Sequence, residues 1–166
     1  MQLDVGFGDV VHPSADVHNY PTLLGHPAPR LRMYPRETVV AEKFHAMVHL
    51  GSLNSRMKDF YDVWLVSRRF DFEGHDLARA IQKTFAHRRT DIEVDPIALG
   101  EAFATADSTR MKWTSFVKRS RLEEAPSFGS LQDTLRGFLL PVAAAAVSGE
   151  RFWRTGRRDS RGSSGG

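Results

Sequence analysis

Two charged segments, residues 37–46 and 56–62, sit inside otherwise apolar sequence and constrain the fold more than any other feature of the chain. In the first, Val40, Phe44, Met47 and Val48 recur at helical spacing and form one apolar stripe. Lys43 comes three residues after Val40 and four before Met47, so its stem runs along that stripe. It lies away from the polar side made by Thr38, Glu42, His45 and His49. A partly desolvated lysine is a candidate grip for a phosphate. In the second segment, Phe60, Tyr61, Val63, Trp64, Leu65 and Val66 leave a polar line only through Arg56, Asp59, Asp62 and Arg69. Asp59 and Asp62, three apart on a helix crowded by aromatic side chains, point into one space. The plainer reading is an exposed ladder within the helix, Arg56 with Asp59 and Lys58 with Asp62, at ~0.2–0.5 kcal/mol per pair. Pattern alone leaves both readings open.

A chain of 166 residues, 41% of them hydrophobic, suffices for one domain with a buried core. No apolar run approaches the ~20 residues of a membrane span, and the alanine-rich stretch 139–147 is too short. The first residues lack the basic and apolar regions of a secretory signal. The absence of cysteine excludes disulfides and thiolate metal sites and suits a reducing cytoplasm. The formal charge of +3 is located at one end: residues 149–166 carry five arginines against Glu150 and Asp159, which accounts for all of it. The rest is neutral overall. This Arg, Gly and Ser tail reads as a disordered, solubilising end, with weak and salt-sensitive phosphate contacts as the functional alternative.

Residues 3–11 have the alternation and β-branched content of a strand, broken by two glycines. One further strand is expected near residues 30–34, with residues 12–29 as a long irregular connection between them. After Pro35 the chain is expected to be helical to its end, with Gly51 and Asn54 separating the two charged helices. Further helices are expected over 74–86, 97–103, 108–120 and 130–140, with Pro141 stopping or kinking the last. The expectation is an α+β chain divided into a sheet remnant (1–34), a helical region (35–148) and the tail (149–166).

Asp4 falls mid-strand between Leu3 and Val5, with Asp9 close behind. A strand aspartate facing a lysine and a helical carboxylate is what phosphoryl-transfer chemistry requires, because carboxylates hold divalent ions that neutralise charge on phosphates. The alternative puts Asp4 on the solvent side of a half-buried strand. His45 and His49 have the spacing of helical zinc ligands, but no glutamate follows His45 and no third ligand is evident, so they read as polar-face histidines. No Gly-x-Ser-x-Gly elbow and no glycine-rich phosphate loop occurs, which removes hydrolase and P-loop readings.

The succession Leu3-Asp-Val-Gly-Phe-Gly-Asp9, Tyr20-Pro-Thr-Leu-Leu24, Tyr34-Pro-Arg-Glu-Thr-Val-Val-Ala-Glu-Lys43, Asn54-Ser-Arg-Met-Lys-Asp-Phe-Tyr-Asp-Val-Trp-Leu65 and Thr84-Phe-Ala-His-Arg88 resembles the AbiEii/AbiGii toxin family up to about residue 140. That resemblance implies a polymerase beta-like nucleotidyltransferase sheet followed by helices, and a toxin paired with a cognate antitoxin. It further implies transfer of a nucleotide from an NTP, with Mg²⁺, to tRNA, another RNA end or a protein hydroxyl. Carried over by motif, Lys43 is the triphosphate ligand and Asp59 the functional helical carboxylate. Glu42, Arg56, Lys58 and Asp62 flank the substrate, and Asp4 is a metal carboxylate. The family's Gly-Ser turn and Asp-x-Asp strand have no counterpart here, so the chain looks like the C-terminal half to two-thirds of such a protein. Without that metal pair the isolated chain is expected to be inactive or nearly so, and a non-catalytic remnant or partner-binding module is the rival reading.

Overall fold

The chain turns helical at Pro35, whose φ of −54° sets the first turn and whose carbonyl accepts the Thr38 and Val39 amides. The structure, a computed structural model, describes residues 16–19 and 30–149, and side-chain surroundings from residue 34 onward. Two four-residue strands, β1 (Asp16–Asn19) and β2 (Arg30–Met33), pair antiparallel with Asp16 opposite Met33. Helices α1 (Arg36–Leu50), α2 (Met57–Arg69), α3 (Gly74–Arg88), α4 (Glu101–Thr105), α5 (Asp107–Arg119) and α6 (Phe128–Ser148) follow. Short 3₁₀ turns occupy Gly51–Leu53 and Ile97–Leu99.

The apolar stripe of α1 is the centre of the core: Val40, Phe44, Met47 and Val48 are all buried. α1 packs on α3, and α3 and α2 both pack on α6. Aromatic pairs join these elements, Phe44 of α1 with Phe85 of α3 at 5.6 Å between ring centroids, Phe60 of α2 with Phe128 of α6 at 5.4 Å, and Phe72, in the connection from α2 to α3, with Phe138 of α6 at 5.3 Å. Burying each such ring is worth ~1.5–3 kcal/mol, so helix-on-helix contact supplies the stability without a sheet.

The α+β expectation is therefore corrected. Residues 34–149 are 76% helical, short 3₁₀ turns included, and the only strands among the described residues pair with each other alone. A two-stranded ribbon of this length offers no layer on which six helices can pack, and it is not a polymerase beta-like sheet. Its first strand also falls inside the stretch expected to be irregular. The expected strand at 3–11, with Asp4 and Asp9, and the tail from residue 150 lie outside the described residues.

Three local departures stand out. Thr38, expected on the polar side of α1, is buried. The helix expected over 97–103 divides at Gly100, which has extended backbone and whose carbonyl, with that of Ala98, accepts from the buried Gln132 side chain. α6 runs on through Pro141 to Ser148. The proline lacks the amide that would bond the Gly137 carbonyl, but Val142, Ala143, Ala145 and Ala146 are buried beyond it, and that packing outweighs one lost bond. No helix of the described residues is long and apolar enough to cross a membrane.

Candidate functional site

Asn54 sets the geometry from which α2 departs: its Oδ1 accepts the Arg56 amide at 2.8 Å, an Asx turn that starts the helix. Met57, Phe60 and Val63 then anchor α2 in the core. With those three inward, Asp59 and Asp62 are carried to the side that meets α1, where Lys43 emerges between buried Val40 and Met47. The Lys43 ammonium lies 2.7 Å from Asp59 Oδ1 and 3.0 Å from Asp62 Oδ2. Arg56 Nε reaches Asp59 Oδ2 at 3.0 Å, and Lys58 Nζ reaches Asp62 Oδ2 at 2.6 Å. Both readings of the carboxylates thus coexist, since the ladder within α2 and the bridge to α1 share the same two groups.

Exposure ranks these contacts. The side chain of Asp59 is 8% exposed and that of Lys43 21%, whereas Arg56 and Lys58 are 61% and 66% exposed. The Lys43 bridge therefore works in a lower dielectric than the outer pairs, which are worth at most ~1 kcal/mol. Burial of Lys43 disfavours its ammonium, but hydrogen bonds and charge from Asp59 and Asp62 outweigh this and raise its pKa above 10.5. Lys43 is held as a cation. Three cations against two carboxylates leave the cluster net positive, a surface suited to anions.

Glu42 lies one residue away but faces α3, where its Oε2 accepts from Arg88 Nη2 at 2.9 Å. The pair braces α1 against α3 beside the site. His45 stacks on His49 and meets the edge of Phe85, with Nε2 3.1 Å from Thr90 Oγ1. Burial, then the charges of Arg88 and His49, lower the His45 pKa below 6.5.

Two cavities meet at this cluster. One, of about 510 Å³, runs along α1 past Tyr34, Glu42, His45 and His49 to Arg88. The other, of about 750 Å³, lies between the first turn of α2 and one side of α5, with Lys112 and Arg119 on its wall. Lys43, Arg56 and Asp59 line both. Both volumes lie within the ~300–1,000 Å³ of small-ligand sites. Sequence reasoning missed Lys112 and Arg119. Their helical stripe, Ser108, Met111, Lys112, Ser115, Phe116 and Arg119, was readable, but its juxtaposition with α2 was not.

A family model described as nucleotidyl transferase AbiEii toxin, type IV toxin–antitoxin system, matches residues 1–136. The chain belongs to the AbiEii toxin family. Membership makes it a nucleotidyltransferase-like toxin, with an antitoxin as the partner implied by a type IV system. No curated protein and no solved structure matches it. In this AbiEii family chain the described carboxylates do not make a magnesium site. Both oxygens of Asp59 and one of Asp62 are engaged by cations, and no group of three or more metal-ligating side chains occurs among the described residues. Asp4, the expected metal carboxylate, lies outside those residues, and no step is routed through the ion.

Proposed function

We propose that this toxin transfers a nucleotide from a nucleoside triphosphate to an RNA end, with tRNA among the candidate acceptors, or to a protein hydroxyl. It would act in the cytoplasm under the control of its antitoxin. The observation that carries this reading is that Lys43, Arg56 and Asp59 line both cavities, so a donor in one and an acceptor in the other would meet at the same cations. Lys43 has three N–H donors, and the two aspartates account for two of them. Arg56 spends its Nε on Asp59 and has four further N–H donors in its guanidinium. These remaining donors would hold phosphate oxygens and stabilise the charge that develops as the bond to the leaving pyrophosphate breaks. Asp59, committed through both oxygens, acts as the positioning group for the two cations. Lys58 and Asp62 complete the cluster at its edge, and Glu42 with Arg88 keeps α1 in register.

A second reading is a non-catalytic remnant or partner-binding module, favoured by the engagement of Lys43 with two carboxylates in a closed ion-pair network. The two separate on label transfer. Wild-type protein supplied with each of the four α-labelled nucleoside triphosphates, Mg²⁺ and an RNA panel is expected to label an acceptor, and Lys43→Ala to abolish the label. Well-folded protein that labels nothing across the panel supports the second reading.

A further inference from the structure

We infer that the cavity between the first turn of α2 and α5 is a groove for the phosphate backbone of a single-stranded RNA, with Lys112 and Arg119 as its phosphate contacts. Identifying that strand as the acceptor rests on the transfer reading above; the binding itself does not.

The charge balance of the groove is one-sided: Lys43, Arg56, Lys58, Lys112 and Arg119 line it against Asp59. The first three are already paired with aspartates. Lys112 and Arg119 have no carboxylate partner among the described residues; the Lys112 ammonium donates to the Asn54 carbonyl at 3.3 Å, which fixes it over the start of α2. Uncompensated cations in a concave wall focus positive potential into the cavity.

Their spacing argues for an extended ligand. Seven residues along α5 separate them by ~10 Å at the helical rise. Cations set in a row along one side of α5, at the edge of the Lys43 and Arg56 cluster, suit the successive phosphates of a strand. Along the same side of α5 the lining alternates in character: Ser108 and Met111, which is 70% exposed, come before Lys112, and Ser115 and Phe116 fall between Lys112 and Arg119. A nucleic-acid strand alternates phosphates, sugar hydroxyls and apolar base faces in the same way; an acidic peptide would use the cations alone. The groove also ends at Lys43 and Arg56, where it meets the other cavity.

The test is fluorescence anisotropy of a short fluorescein-labelled single-stranded RNA of mixed sequence, titrated with the full chain over a salt series. The Lys112→Gln, Arg119→Gln double variant is expected to bind about tenfold more weakly at low salt. Its log–log salt slope should fall by ~1.4, at ~0.7 for each phosphate that is no longer neutralised. Arg79→Gln, on the exposed side of α3, controls for loss of bulk charge and is expected to bind like wild type. Each single variant is measured as well, so that a folding defect in the double variant leaves the question decidable. RNA affinity and slope unchanged in the groove variants, or lowered equally by Arg79→Gln, overturn the inference. Polyglutamate that displaces the RNA at equal charge concentration overturns it in favour of an acidic protein segment. Label transfer is scored separately. RNA binding that depends on Lys112 and Arg119, with no transfer by wild type, removes the catalytic reading and leaves the groove. Transfer with unaltered RNA affinity in the variants removes the groove alone.

Discussion

The Lys43–Asp59 bridge yields a prediction whose size follows from its burial. Lys43→Met removes the cation but keeps the stem that lies along the α1 stripe. Breaking a fully buried pair costs about 3–5 kcal/mol. Here Asp59 keeps Arg56 at 3.0 Å and Lys43 is one-fifth exposed, so the cost should fall to about 1.5–3 kcal/mol, the range of a charged hydrogen bond. Asp59→Asn should cost a similar amount, because Lys43 retains Asp62 at 3.0 Å. The double variant should lose about 1–2 kcal/mol less than the sum of the singles, since neither leaves its partner's charge stranded. Urea unfolding measures this directly: at a slope of ~1–3 kcal/mol per molar, each single change shifts the midpoint by roughly 1 M. The sign with pH is also fixed. The folded pKa of Lys43 lies above its unfolded value near 10.5, so the coupling is fully present below that value and is lost as pH rises through the folded one. Additive single changes, with a coupling below about 0.5 kcal/mol at neutral pH, would refute the reasoning.

Other consequences follow from individual contacts. The folded pKa of His45 is depressed by burial and by Arg88 and His49, so the protein should lose stability as pH falls from about 6.5. His45→Gln should flatten that loss in melting temperature measured between neutral and mildly acidic pH. Phe44, fully buried against Phe85, should cost about 3–5 kcal/mol as alanine, read from the urea midpoint. Gln132→Leu strips the donor from the Ala98 and Gly100 carbonyls and should cost about 1–3 kcal/mol. Its effect should concentrate in faster amide exchange around the Ile97–Leu99 turn and α4.

The parts of this protein that were legible in its sequence are those set by local period. Val40, Phe44, Met47 and Val48 marked the inner side of α1, and α3 and α5 began and ended within two residues of expectation because their apolar spacing and Gly74 are local signals. The helix through Pro141 was not legible, since tertiary burial of the alanines beyond it decides the outcome. Nor was the fold class: β-branched alternation in the first residues suggested a sheet, while the described chain closes its core by helix packing alone. At the site, the shared direction of Asp59 and Asp62 could be read from their spacing. Their meeting with Lys43, sixteen residues upstream of Asp59, depends on how α1 crosses α2. Lys112 and Arg119 were still more remote, because a helical stripe does not announce which neighbour it faces.

The central claim is that the cations where the two cavities meet hold the phosphates of a nucleotide. Isothermal titration of the wild-type protein and of Lys43→Met with each nucleoside triphosphate tests it most directly. Wild type is predicted to bind at least one of the four, and Lys43→Met, folded by its circular dichroism and urea transition, to bind that nucleotide about tenfold more weakly or worse. Equal affinity in the two proteins, or no binding of any triphosphate by wild type, would contradict the claim and leave the Lys43 cluster as a structural ion-pair network.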